Sequence, residues 1–373
     1  MPVYLESNHF DHHQQAVSNG LLRKPPVEFE EQSSRCIRIG LINNMSDGAL
    51  TATEQQFLSL LDAASDDILI YLSLYELPGV PRKEQAKCHI RNFYSSVENL
   101  WDTRLDGLIV TGREPLMPNL KDEPYWESFT RVLEWAQDNT YSTAWSCLAA
   151  HAAILYMDGV SRIKSEEKHC GIFECERVSD HQLMANSPSR IRLPHSRWNG
   201  VSEDTLRSFG YDVLTRSIDA GVDTFVKQKT SLFLFFQGHP EYESNTLLLE
   251  YRRDVGRYLR GERDTYPSMP RSYFDEDTVN ALAMLREEII GCRREELLAE
   301  VSTALEKVCI KNTWHSTAAC IYRNWLEYIS GQKQLNYGLK SNTVSGSILI
   351  GVPTEYNGRL DSDRQCAVVR SLR

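Results

Sequence analysis

The stretch Thr140-Tyr-Ser-Thr-Ala-Trp-Ser-Cys147-Leu-Ala-Ala-His-Ala-Ala-Ile-Leu-Tyr156 opens with β-formers and small residues, reaches a cysteine, and continues as a run of good helix formers. A cysteine between a strand and a helix occupies a sharp turn at the end of a sheet. Backbone N–H groups of the first helical turn stand beside it. Those groups and the helix dipole favour the thiolate, the reactive form of the side chain. Read alone, the stretch favours a small buried hydrophobe, the usual fate of a free cysteine. The rest of the chain decides between the two by supplying, or failing to supply, a base, a group to orient it and an oxyanion site.

Working outward, strand and helix patterns alternate on the N-terminal side. Cys36-Ile-Arg-Ile-Gly-Leu-Ile-Asn43 reads as a buried strand, followed by the turn Asn44-Met-Ser-Asp-Gly48 and a helix from Leu50 to Ala64. Asp67 to Tyr75 is a second strand, Arg82 to Trp101 a mixed helical segment, and Leu105-Asp-Gly-Leu-Ile-Val-Thr111 a third strand. It ends in the turn-rich Gly112-Arg-Glu-Pro-Leu116, and an amphipathic helix fills Asp122 to Asp138. This alternation implies an α/β fold with a mostly parallel sheet flanked by helices. In such sheets ligands bind beyond the carboxyl ends of the strands. Asn43-Asn44, Gly112-Arg113 and Cys147 all fall at those ends and should share one crevice.

On the C-terminal side the text from Ser165 to Asp223 is less regular. Thr224 to Lys227 and Ser231 to Phe236 then read as neighbouring strands, the second ending in Gln237-Gly-His-Pro-Glu241, with a helix from Thr246 to Arg260. Asp277 to Val308 forms a helical insert that bends at Gly291, and Trp314 to Ile329 forms a closing helix with an aromatic face. Domain organisation is therefore a polar, flexible leader over residues 1–34, one catalytic domain over 35–330 and a loosely attached tail over 331–373. Nothing repeats.

Composition narrows the class. A formal net charge of −10 without a basic stripe excludes a general nucleic-acid binder, and no apolar run is long enough to span a membrane. The nine cysteines, at 36, 88, 147, 170, 175, 292, 309, 320 and 366, are odd in number and show no CxxC spacing. A disulfide framework and a zinc site are both disfavoured, no metal is expected, and a reducing cytoplasm suits the chain.

His239 and Glu241 lie two residues apart after a strand end, so a carboxylate can orient an imidazole that faces the cysteine. An oxyanion site needs two backbone donors: the N–H of Leu148, just past Cys147, is one, and the loop of Gly112 and Arg113 supplies the other.

Phe236-Gln-Gly-His-Pro-Glu-Tyr242, Thr246-Leu and Glu250-Tyr-Arg-Arg-Asp254 together resemble the homoserine O-acyltransferase (homoserine O-succinyltransferase) family, whose fold is that of class I glutamine amidotransferases, a flavodoxin-like arrangement. Asp106-Gly-Leu-Ile-Val-Thr-Gly112, Tyr125-Trp126, Leu133-Glu-Trp135, Pro194-His-Ser-Arg197, Tyr273-Phe274, Asn312-Thr-Trp314 and Asn324-Trp-Leu326 extend the resemblance from about Ile37 to about Tyr328. It implies that Cys147 carries an acyl group as a thioester, that His239 is the general base and that Glu241 orients it. Lys168, Ser196 and Arg253 match positions that bind the amino-acid substrate. Arg253 can grip a carboxylate bidentately, and Glu250, one turn earlier, suits an ammonium group; the bland alternative for this pair is a surface i,i+3 ion pair.

The implied reaction moves an acetyl or succinyl group from coenzyme A, a co-substrate rather than a bound cofactor, to the hydroxyl of homoserine or a related amino acid. The resemblance also implies a homodimer. Two alternatives stand beside it: a glutamine amidohydrolase using the same triad, and a non-enzymatic paralogue that binds a partner through the helical insert.

The departures from the family are specific. Asn43-Asn-Met-Ser-Asp-Gly48 lacks two lysines usual after the first strand, and His151 replaces a glutamine one turn beyond the cysteine. Leu116 falls where a small residue or a glutamate helps choose between succinyl and acetyl donors. The helical insert at about 275–310 and the long tail are additional.

Overall fold

The computed structural model describes residues 3–6, 35–306 and 308–345. Thirteen strands and nine α-helices order as follows. The first half carries β1 (Val3–Glu6), β2 (Cys36–Ile42), α1 (Leu50–Ala64), β3 (Leu69–Glu76), α2 (Glu84–Phe93), β4 (Tyr94–Ser96), β5 (Gly107–Val110), α3 (Trp126–Asn139), β6 (Ser142–Ser146) and α4 (Leu148–Asp158). The second half carries β7 (Ile163–Arg177), β8 (Arg190–Gly200), α5 (Glu203–Ser208), β9 (Asp212–Val213), β10 (Thr215–Ser217), β11 (Gly221–Val222), β12 (Thr224–Gln228), β13 (Leu232–Phe236), α6 (Thr246–Leu259), α7 (Glu276–Gly291), α8 (Leu297–Glu306) and α9 (His315–Ser345).

The main sheet runs β1-β3-β2-β5-β6-β13-β12-β9, with β4 on the far part of β3. Pairing is parallel from β1 through β13 and antiparallel for β12 and β9. Central strands covered on both faces must be apolar throughout, and β5, β6 and β13 are buried at every residue. Helices α1 and α9 cover one face, where Phe57, Leu61, Trp325 and Ile329 join the core. Helices α3 and α4 cover the other, through Phe129, Leu133, Ala149 and Ile154. Helix α4 is nearly all alanine and aliphatic residues, so it lies flat on the sheet. It ends at Gly159, whose φ of +69° is the left-handed cap that lets a chain leave a helix.

A second sheet, β11-β10-β7-β8, is antiparallel and occupies the stretch that looked irregular in sequence. Helices α6, α7 and α8 share an apolar cluster of their own around Tyr251, Val255, Leu282 and Val301, which makes the insert a helical hairpin broken at Gly291 and Cys292.

Three features differ from the sequence reading. Val3–Glu6, inside the expected leader, pairs in parallel with Ile70–Ser73 at the sheet edge; its alternating apolar residues find a partner only in the folded sheet. The rest of that leader lies outside the described residues. The segment from Arg82 to Trp101 is only partly helical, because Tyr94–Ser96 adds to β3. The closing helix runs through Gly331 to Ser345, into what was expected to be tail, and Lys333 is buried with its Nζ 2.8 Å from Asp106 Oδ2 and 2.7 Å from Cys36 O. Residues 336–373 form a separate unit, described as far as the end of α9.

Candidate active site

Cys147 closes β6 and caps α4 with φ +51° and ψ −113°, a backbone conformation that a non-glycine residue holds only under constraint. The constraint is visible. Cys147 N–H donates to Phe236 O at 2.7 Å, tying the turn to the end of β13, and the α4 amides that follow point toward the same space. The thiol is partly exposed and lines a cavity of about 590 Å³.

His239 reaches that cavity from the loop after β13. Its N–H donates to Pro194 O at 2.8 Å, and the preceding Gly238 N–H donates to Asp223 Oδ1 at 3.0 Å, so the loop is anchored on buried backbone and carboxylate. Asp223 also accepts from Thr215 Oγ1 at 3.0 Å and Thr224 Oγ1 at 2.6 Å. The His239 ring stacks on Tyr242, with centroids 4.2 Å apart, and its Nδ1 lies 2.9 Å from Glu241 Oε1. Burial opposes a charge on this imidazole, yet Glu241 and the Cys147 sulfur beside it outweigh that and hold it well above its ordinary range. A charged imidazole beside the Cys147 side chain is the result.

Gly112 lets its loop pass close to the first amide of α4. A Cβ built there would stand 2.5 Å from Leu148 N and 2.9 Å from Leu148 Cβ. Any side chain would press on the amide that opens α4, and glycine alone lets the Gly112–Arg113 backbone pass this close.

A polar wall faces the thiol across the cavity. Glu250 accepts hydrogen bonds from Ser196 Oγ and, at 2.7 Å, from Tyr242 Oη. Lys168 Nζ stands 4.0 Å from Glu250 and 3.5 Å from Asp254. Arg253 pairs with its neighbour Asp254 at 2.9 Å rather than with Glu250, so the i,i+3 ion pair weighed from the sequence does not form. Asp254 gathers Arg257 at 3.8 Å and Arg263 at 3.5 Å as well. Burial would raise its carboxyl, but Arg253 and Lys168 hold it below the usual range.

The structure thus brings together Cys147, His239, Glu241, Leu148, Arg113, Lys168, Ser196, Glu250 and Arg253 around one cavity. Leu116 is not in that lining; it is 46% exposed, and its backbone N–H donates to Glu123. Sequence reasoning missed Asp254, Arg162 and Arg197. Asp254 stands inside the quoted Glu-Tyr-Arg-Arg-Asp run, but its cationic partners Lys168 and Arg263 lie outside that run.

One metal-sized grouping exists among the described residues: Cys175, His195 and Asp223, all buried. His195 Nδ1 accepts from Arg197 Nε at 3.1 Å, which leaves the ring proton on Nε2, 3.2 Å from Asp223 and off the line of a good hydrogen bond. Burial keeps the His195 ring neutral, down to about 4, and pushes the Cys175 thiol up. Of the three, Asp223 braces the His239 loop, accepting from Gly238 N–H through Oδ1 and from Gln237 N–H through its backbone oxygen.

A strained cysteine with an imidazole–carboxylate pair, set at the carboxyl ends of parallel strands, is the equipment of covalent thiol catalysis. Comparison with known proteins narrows the class. The family model described as HTS: Homoserine O-succinyltransferase matches residues 14–335. The homoserine O-succinyltransferase of Rhodopseudomonas palustris is 45% identical over 79% of this chain and 88% of its own. That of Methylorubrum extorquens is 40% identical over 83% of this chain and 92% of its own. Among solved structures, a glutamine amidotransferase from Thermotoga maritima aligns with a TM-score of 0.44 at 14% identity, covering 79% of this chain and 98% of that one. The chain belongs to the homoserine O-succinyltransferase family.

Proposed function

We propose that this protein transfers a succinyl group from coenzyme A to the hydroxyl of homoserine through a thioester on Cys147. The observation that carries the chemistry is the Cys147 thiol at a strained strand–helix turn, facing an imidazole that Glu241 holds charged. Family membership supports the substrates, and the relatives' names support succinyl over acetyl.

The steps follow from the geometry. The Cys147 thiolate attacks the thioester carbonyl carbon, and the new oxyanion meets the Leu148 and Arg113 N–H groups. The intermediate collapses, the carbon–sulfur bond to coenzyme A breaks, and the leaving thiolate takes the proton from His239. Homoserine then enters, with its ammonium group toward Glu250 and its carboxylate toward Arg253. Neutral His239 removes the hydroxyl proton as the oxygen attacks the acyl-enzyme. Cys147 leaves as thiolate, and the starting ion pair returns. The base and its orienting carboxylate are shielded from bulk water, His239 at 5% and Glu241 at 7% exposed.

Mixing the protein with succinyl-CoA should add one succinyl mass and release free coenzyme A, and homoserine should remove the adduct. Cys147→Ala should form none, with turnover down by about 10⁴-fold or more. Absence of an adduct with any short acyl-CoA, or release of glutamate from glutamine instead, would sink the proposal. The free cysteines among the described residues support a reducing compartment such as the cytoplasm.

A further inference from the structure

His151 sits one turn beyond the nucleophile, is 3% exposed and lines the active-site cavity, yet neither ring nitrogen has a hydrogen-bond partner. Folded proteins rarely leave such a group bare without a reason. Side chains on a helix lean back over the turn N-terminal to their own Cα. The imidazole therefore leans toward the turn that carries Cys147 and the Leu148 amide.

Two guanidinium groups share this condition. Arg162 Nη1 and Arg113 Nη1 are both buried, both without a partner, and both residues line the same cavity. Arg162 is held in place by Nη2 donating to Pro118 O at 3.0 Å, and Arg113 by Nε donating to Glu114 O at 3.3 Å, with its guanidinium 6.0 Å from the Tyr125 ring centroid. Both charges act on the Tyr125 hydroxyl, as does the carboxylate of Glu123. Among the described residues neither forms an ion pair with a carboxylate. The buried Glu123 directs Oε1 at the N–H groups of Leu116 and Met117 and leaves Oε2 without a partner. Arg197 adds a third positive charge, but its own donors are taken by His195, Asn199 and Ala220. Burial, with Arg197 and Arg162, keeps the His151 ring neutral, down to about 3, so it offers one N–H donor.

Bare donors and two guanidinium groups against the single carboxylate of Glu123 leave positive charge in excess and describe a place for an anion. His151, Arg162, Arg113 and Cys147 line one cavity, so an acyl chain held on the thiol can extend toward these donors, and a two-carbon acetyl group carries no carboxylate to meet them. We propose that Arg162, His151 and the Arg113 guanidinium form a carboxylate pocket for the far end of a dicarboxylic acyl group whose thioester carbonyl sits at the Leu148 amide. The proposal rests on the acyl-transfer reading above, and it assigns donor choice to this pocket rather than to Leu116.

The test crosses succinyl-CoA, butyryl-CoA (equal in chain length but without the carboxylate) and acetyl-CoA with wild type, Arg162→Met and Arg162→Lys, reading kcat/KM for coenzyme A release. Wild type should prefer succinyl-CoA to butyryl-CoA. Arg162→Met should lose roughly 10- to 100-fold with succinyl-CoA, change little with the other two donors, and be partly rescued in Arg162→Lys. A second measurement needs no variant: free succinate should slow alkylation of wild-type Cys147 by iodoacetamide, and butyrate should not. A succinyl-to-butyryl ratio unchanged in Arg162→Met, or succinate no better than butyrate at protecting the thiol, overturns the pocket. Wild type that forms no acyl-enzyme from any donor overturns the acyl-transfer reading instead.

Discussion

The two ends of β6 are built to opposite specifications. At its start, Ser142 Oγ donates to Leu232 O at 2.6 Å and accepts from Trp325 Nε1 at 2.8 Å, and Thr140 Oγ1 joins Ala136 O, Thr143 and Ser231. The polar side chains there are buried and paired, and the Trp325 ring packs close to Gly107. Five residues along, Cys147 sits in a strained turn, and His151, Arg113, Gln237 and Glu241 each leave at least one buried polar atom unpaired. Strain of this kind costs of order 1–3 kcal/mol at each site, and it persists only where the surroundings leave the chain no alternative. The packed end supplies the rigidity that the reactive end consumes.

That division can be tested by damaging each end in turn. Gly112→Ala places a methyl group against the Leu148 amide, and kcat should fall by about 10²–10³-fold, the cost of losing one oxyanion donor; steady-state coenzyme A release measures it. A loss under threefold would mean that the oxyanion lies elsewhere.

Glu241→Gln should cost about 10²-fold and also change the pH profile. Glu241 is the first of the groups that raise the His239 imidazole, so removing its charge lowers the pH at which the imidazolium–thiolate pair is lost. The alkaline limb of acyl-enzyme formation should move to lower pH. Movement the other way, or none, would leave Glu241 only a packing role.

The smallest catalytic effect belongs to the quiet end. Ser142→Ala leaves Trp325 Nε1 without an acceptor and should reduce stability by about 1–3 kcal/mol, read from the urea midpoint, while kcat stays within about twofold. A large fall in kcat at unchanged stability would erase the contrast.

Much of this plan is legible in the sequence because it depends on local pattern. The apolar runs of β5, β6 and β13 identify central parallel strands, and the positions of Gly112, Cys147 and His239 follow from where those runs stop. What is not legible depends on partners remote in the chain. Val3–Glu6 is too short to read as a strand without Ile70–Ser73 beside it. The β7–β8 pair hides behind charged residues because much of one face is open to solvent. Lys333 marks a continued helix only once Asp106 and Cys36 are in place to receive it. Asp254 shows no special chemistry until Lys168 arrives from β7 and Arg263 from beyond the end of α6. The His151 substitution was visible; that both its nitrogens are bare was not.

The hydrogen bond from Cys147 N to Phe236 O also bears on how the enzyme comes to be active during synthesis. The proposed nucleophile and base stand at the ends of adjacent parallel strands, but the whole second sheet and β12 lie between them in the chain. A ribosome delivers Cys147 well before His239, and a parallel pair of this separation closes only after the intervening chain exists. An unfinished polypeptide therefore carries the thiol without its base. Activation of the cysteine waits for the strand that completes the sheet, so truncated or stalled chains are spared an indiscriminately reactive thiol.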